Sequence, residues 1–478
     1  MPKKNATQSQ IILFKIHYFL WFSSLSGVLP YYVVYVRTYT EASASWIAIL
    51  FAVLPFIAFF TNPILCSLAD KSSSHLKYLL LFTALTGFGY GSLLILPTIQ
   101  SSLFSWLISL VLLLIAYPSM ATVTSLTDSI VMMMVTPDEP DCTESVKKPQ
   151  FGQIRVWGTI GYGLFGFLSG PINSVNFGPS YLEMGFIMFI VILILDLTIV
   201  SVCARKWSIL VMPSATGQTR IKGQNERKEE EEETNEKFIS RKEQQETLNC
   251  QKNSQQHWSI FVSLFIHHPT LIQHTIILIG QGVLMACHWS YFYWFLELVS
   301  GRNTFLMGLT LLIGCFCGEL IFFYYGNSIV NQIGSTNAFN ISLAAFAVQY
   351  TIYAFLITPE NQYLVCLTEV LQGPTFGLFY TAMTHIGQEY ADKQAAILQS
   401  SKSESAANVT QIHATLQGFL SGCLEGLGLG LGSLGAGLLI DRYGVHIMWM
   451  IAASLAVFLL ILNSSFQLIR AIMITYKS

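Results

Sequence analysis

Apolar residues run through this chain in long blocks separated by short polar segments. A hydrocarbon core about 30 Å thick takes about 20 residues of helix to cross. On that rule the blocks predict helices near 12–36, 44–69, 76–97, 103–133, 152–172 and 182–203, and a second set near 267–299, 304–326, 337–357, 362–386, 411–440 and 445–470. The expected fold is all-α and integral to the membrane: twelve transmembrane helices in two six-helix halves, residues 1–203 and 259–478. Between the halves, 204–258 holds Arg205, Lys206, Arg227, Lys228, the run Glu229 to Glu233 and many Gln, Asn and Ser. Such a segment has too little apolar surface to offset chain entropy and reads as a disordered, charged cytoplasmic linker.

Composition agrees with lipid as the main solvent. Only 11% of residues are charged and 53% are hydrophobic, where a soluble chain carries about 25% charged residues. The net charge of -2 gives no basic excess that would suit nucleic acid. Nine cysteines lie mostly inside apolar runs without metal-ligand spacing, and Cys315 and Cys317, two apart on a helix, point to different faces. No metal and no cofactor are expected. No nucleophile–base constellation suggests an enzyme, and no repeated ring of like charges suggests a channel.

Lys and Arg near span ends set orientation. With both termini cytoplasmic, the inner side collects Lys3, Lys4, Lys71, Lys77, Lys147, Lys148, Arg205, Lys206, Lys393, Lys402, Arg470 and Lys477, against Arg37, Arg302 and Arg442 outside. Lys3 and Lys4 precede an apolar stretch without a small-residue cleavage site, which reads as a retained first span. The glycosylation triplets at Asn340, Asn408 and Asn463 fall in spans or inner loops. The plasma membrane is the expected location and a monomer the expected state.

An ionised side chain at the bilayer centre costs about 2.5–3.5 kcal/mol on insertion scales, so it marks a cavity or a partner. The candidates for a substrate or proton pathway are Asp128, Arg155, Glu319, Glu369 and Glu425, with His274 and His288. Asp128 and Arg155 suit a pair across the hairpin between spans four and five. Glu319 has no basic residue in its own span, Glu425 stands among Gly422, Gly426 and Gly428, and Glu369 follows Asn361 closely enough to sit near the outer rim. His274 and His288, fourteen residues apart, share a helix face at different depths. Glu297 beside Trp289, Tyr291, Tyr293 and Trp294 reads as a headgroup-level aromatic belt, and Asp196 as a cap at the wetted inner end of span six.

Local motifs carry a resemblance. Pro63-Ile-Leu-Cys66-Ser-Leu-Ala-Asp70-Lys71 is similar to the loop signature Gly-x-x-x-Asp-Arg/Lys-x-Gly of the major facilitator superfamily, with Cys66 and Ser73 in place of the glycines. Lys15-Ile-His17-Tyr-Phe-Leu, Gly152-Gln-Ile-Arg155-Val-Trp157-Gly158-Thr-Ile-Gly161, Leu371-Gln-Gly373-Pro-Thr-Phe-Gly377 and the glycine-rich stretch from Gln417 to Gly444 resemble its domain-containing protein 6-like branch, related to lactose permease. The second of these also resembles nucleoside:proton symporters.

The resemblance implies a conformational latch at Asp70 and Lys71, and helix-packing glycines at Gly158, Gly161, Gly373, Gly377, Gly428 and Gly432. A second copy of the signature, Gly437 to Gly444 with Asp441 and Arg442, falls on the outer side and reads as a helix-end anchor. The branch often carries an arginine in span eleven where this chain has Leu429. The expected function is secondary active transport of a small polar solute by alternating access with proton symport. The alternative is a transporter-like receptor or scaffold that binds a ligand without moving it.

Overall fold

The computed structural model describes residues 8–71, 75–135, 151–174, 182–207, 270–400, 416 and 419–477. Every element among them is helical. Among the described residues, nine helices are long and apolar enough to cross a membrane: Ala44–Ala69, His75–Thr98, Ser102–Val131, Glu183–Val202, Thr270–Ser300, Thr304–Ile333, Ser335–Phe355, Phe419–Tyr443 and Val445–Met473. The other three passes are Phe151–Ser174, whose six glycines and Arg155 dilute its hydropathy, and two interrupted helices, 8–40 and 364–400. Twelve passes result, numbered here as spans one to twelve. The expected linker 204–258 lies outside the described residues from 208 onward, and the side chains of Asp70 and Lys71 lie outside them as well.

The interruptions have local causes. Span one was expected as one helix and instead breaks between Gln8–Leu25 and Tyr32–Thr40, at Pro30, which has no N–H to continue the ladder. Ser23, Ser24 and Ser26 donate their hydroxyls to Phe19, Trp21 and Ser23 carbonyls at the break. Lipid offers no water to backbone groups freed this way. In span ten, Pro374 falls in a π-helical stretch, Gly373–Leu378. There the Thr375 carbonyl accepts from Gln281 Nε2 at 3.3 Å and from Ser342 Oγ at 3.2 Å. Two more π stretches occur, Gly314–Glu319 in span eight and Gly422–Gly428 in span eleven. All three lie in the second half, and each contains or closely follows one of the candidate glutamates.

Large apolar side chains such as Leu103, Phe60 and Leu468 are about two-thirds exposed on the outer faces, where lipid would cover them. Inside the first half, a Cβ at Gly158 would meet the Phe22 ring and one at Gly161 would meet Ser23 Oγ at 2.7 Å and the Phe19 carbonyl, so glycine lets span five close on span one. Inside the second half, Gly428 and Gly432 of span eleven meet Gly282 and Ala286 of span seven, and Gly373 and Gly377 meet Phe322 of span eight. Small residues let backbones approach where lipid gives no hydrophobic drive to association.

The halves meet along spans two with eleven and five with eight. A Cβ on Gly170 would lie 2.5 Å from the Thr304 carbonyl of span eight. Among the described residues, the hydrogen bonds between halves gather at the end opposite the chain termini. Asp441 accepts from the N–H groups of Ala44 and Ser45, both at 2.7 Å, which caps the start of span two with the end of span eleven. Arg37 reaches Glu297 at 3.4 Å, and Arg302 holds the other oxygen at 3.3 Å. No such bond joins the halves at the termini end among the described residues. Among the described residues, the hydrogen bonds that tie the halves together are thus at the end opposite the termini.

Candidate functional site

A cavity of about 340 Å³ lies between the halves. Spans one, two, four and five line it from the first half, and seven, eight, ten and eleven from the second. Phe22, Tyr32, Tyr162, Trp289, Tyr293 and Phe376 give it aromatic walls, while Arg155, Glu319, Glu369, His288 and Gln372 supply its polar groups.

Glu369 is 3% exposed and sits in a built network. The Tyr353 hydroxyl donates to its Oε1 at 2.5 Å, and Gln349 Nε2 donates to that hydroxyl at 2.9 Å. His288 Nε2 stands 3.8 Å from Oε2 and 2.6 Å from the Gln372 amide nitrogen. Glu369 was expected near the outer rim; it is buried, with Tyr353 of span nine and His288 of span seven against its carboxylate.

Glu319, closing the π stretch of span eight, lines the same cavity. It has no hydrogen bond or ion pair among the described residues, and Arg155 is the cation whose field reaches it. Glu425 is exposed, is not among the residues lining this cavity, and shares the field of Asp128. Asp128 accepts from Tyr18 OH at 2.5 Å and stands 3.9 Å from Arg155 Nε, so the expected span four to five pair is present. The Arg155 guanidinium also covers the Phe22 ring at 4.1 Å. Both members of the pair are about a third exposed, which places water at the termini side of the cavity.

Three further expectations change. Trp289 and Tyr293, one turn apart, face the cavity, and Tyr291 is buried, donating to the Ser433 carbonyl at 2.8 Å. Trp294 lies under the Arg37 guanidinium at 4.2 Å. That cluster is thus wall and gate, not a lipid-facing belt, and Glu297 beside it is 7% exposed. Asp196 is 1% exposed, with both oxygens 2.9 Å from His17 Nδ1, while His17 Nε2 meets Thr127 at 3.0 Å. Facing inward from span six, it ties spans one, four and six and caps no helix end. His274 bonds Tyr390 at 3.0 Å near a polar pocket at the termini end, in a different hydrogen-bond set from His288.

Sequence reasoning missed Gln349, Gln372, Tyr353 and Tyr162. Polar amides inside apolar spans were the available signal, since each must find a partner in lipid. Among the described residues no group of three His, Cys, Asp or Glu could hold a metal.

The nucleoside transporter NupG is similar in fold, with a TM-score of 0.64 and 17% identity over 95% of this chain and 98% of that one. A D-xylose-proton symporter gives 0.61 at 11% identity, covering 95% and 96%. A peptide transporter of the POT type gives 0.59 at 11%, covering 96% and 94%. At these identities the likeness concerns fold alone. The family model described as the MFS_1 like family matches residues 11–451, and the chain belongs to that family of the major facilitator superfamily.

Proposed function

We propose that the chain is a secondary active transporter that moves a small polar solute by alternating access, coupled to protons. The observation that carries this reading is the cavity between the halves, lined by both and holding Glu319 and Glu369, with one end tied shut by Arg37–Glu297 and by Asp441. A carboxylate enclosed with Tyr353 and Gln349 can hold a proton while shut and release it once water enters. The structural relatives named for nucleoside, D-xylose–proton and peptide transport support a small-molecule cargo. With the cytoplasmic termini that the positive charges favour, the tied end faces outward, and a plasma-membrane location suits uptake.

Reconstitution tests this. Liposomes holding the full chain and loaded with a metabolite extract should exchange labelled solutes from outside, faster under an inward proton gradient. Glu369→Gln should lose the gradient's effect. Binding without any exchange would leave the receptor reading in its place.

A further inference from the structure

We propose that the solute is an organic cation, an amine or quaternary ammonium on an aromatic or otherwise apolar body, with Glu319 as its counter-ion; the proposal deepens the transporter reading and rests on it.

The charges around the cavity do not balance. Glu319 and Glu369 line the cavity with one arginine or lysine among its lining residues, Arg155. Arg155 is already engaged by Asp128 and lies on Phe22. Glu369 is engaged by Tyr353 and faces His288. Glu319 alone of the cavity-lining carboxylates has no hydrogen-bond or ion-pair partner among the described residues. It is partly exposed, open to a solute in the cavity, and the partner it lacks is a positive charge on that solute.

The walls fit the same ligand. Cations are attracted to aromatic faces by the ring quadrupole. Rings from spans one, five, seven and ten surround the space beside Glu319, namely Phe22, Tyr32, Tyr162, Trp289, Tyr293 and Phe376. A volume of about 340 Å³ lies at the lower end of the range for small-molecule sites. An anion would meet uncompensated carboxylates here, and an uncharged solute would leave Glu319 unpaired.

Glu319 and Glu369 then divide the work. Glu369, held by Tyr353 with Gln349 and Gln372 adjacent, carries the coupled proton, and Glu319 holds the ammonium. The two carboxylates lie within one another's field. Loading one with a proton and the other with a cation removes the repulsion between them and favours closure over the cargo. No covalent bond forms; the proton enters from water as the O–H of Glu369 and returns to water when the cavity reopens on the other side.

The probe is phenyltrimethylammonium, a permanent cation, compared with benzoate and uridine on the full chain in detergent and in liposomes. The cation should raise the unfolding temperature saturably, with benzoate and uridine inactive. Glu319→Gln should raise its Kd tenfold or more, and Glu319→Asp should restore most of the affinity. Glu369→Gln, which mimics the protonated side chain, should remove the effect of a proton gradient on cation uptake. If Glu319→Gln does not fold, the contrast among the three probes on the unaltered chain decides. Cation binding absent, or unchanged in Glu319→Gln, overturns the assignment. A cation that binds but is never carried keeps the ligand class and removes the transporter reading; benzoate or uridine carried while the cation does not bind does the reverse.

Discussion

The two halves handle buried charge in opposite ways. In the first, His17, Asp196 and Thr127 satisfy one another inside regular helices, and Asp128 is held by Tyr18 and Arg155. In the second, three glutamates sit at or beside π-helical stretches, and two of them, Glu319 and Glu425, have no ion pair among the described residues. π turns are rare and gather at functional sites, because each freed backbone group must be re-paired. The first half thus has the character of a frame, and the second of a loading site.

Several experiments would break or sharpen that contrast. The largest effect is expected for Glu369→Gln, with proton-driven uptake down tenfold or more and a nearly unchanged unfolding temperature, since the amide oxygen still accepts from Tyr353. A similar drop in the unfolding temperature would make Glu369 part of the frame instead. Asp196→Ala should do the opposite, because it leaves His17 buried without its partner; a loss of about 3–5 kcal/mol should appear in denaturant unfolding. Gly161→Ala should cost about 1–3 kcal/mol by overpacking span one, visible as a lower unfolding temperature.

Asp441→Ala should cost about 1 kcal/mol as a lost helix cap and shift the molecule toward opening at the opposite end. Labelling of a cysteine placed at Thr38 should then speed up; unchanged labelling would leave Asp441 as a cap only. The smallest effect concerns Glu389, near the termini end of span ten, which accepts a hydrogen bond from the Lys393 ammonium. Both partners are about half exposed, so solvent screening holds the contribution of the pair below about 0.5 kcal/mol. Glu389→Gln should lower stability in denaturant unfolding by no more than that.

Much of the fold was legible because hydrophobic length is a one-dimensional property, and the apolar blocks needed no knowledge of neighbours. Asp128 with Arg155 was legible for the same reason, the two lying on consecutive spans. The burial of Glu369 and Asp196 and the inward turn of the Trp289–Trp294 cluster were not legible, because helical spacing gives depth along a span and not which neighbouring helices cover a side chain. Tyr353 covers Glu369 from span nine, and His17 covers Asp196 from 179 residues away. Pro30 signalled a break, but the π stretches left no mark beyond Pro374 and local glycines.

The π stretch of span eleven, Gly422–Gly428, bears on how the chain tolerates change. A π turn accommodates one surplus residue, and each residue of α-helix advances the side chains by about 100°. Deleting the surplus position there would anneal the helix with its downstream faces kept, Ser433 at the cavity and Asp441 at the start of span two. Deleting a residue from a regular turn of the same span would instead rotate everything downstream by about 100°.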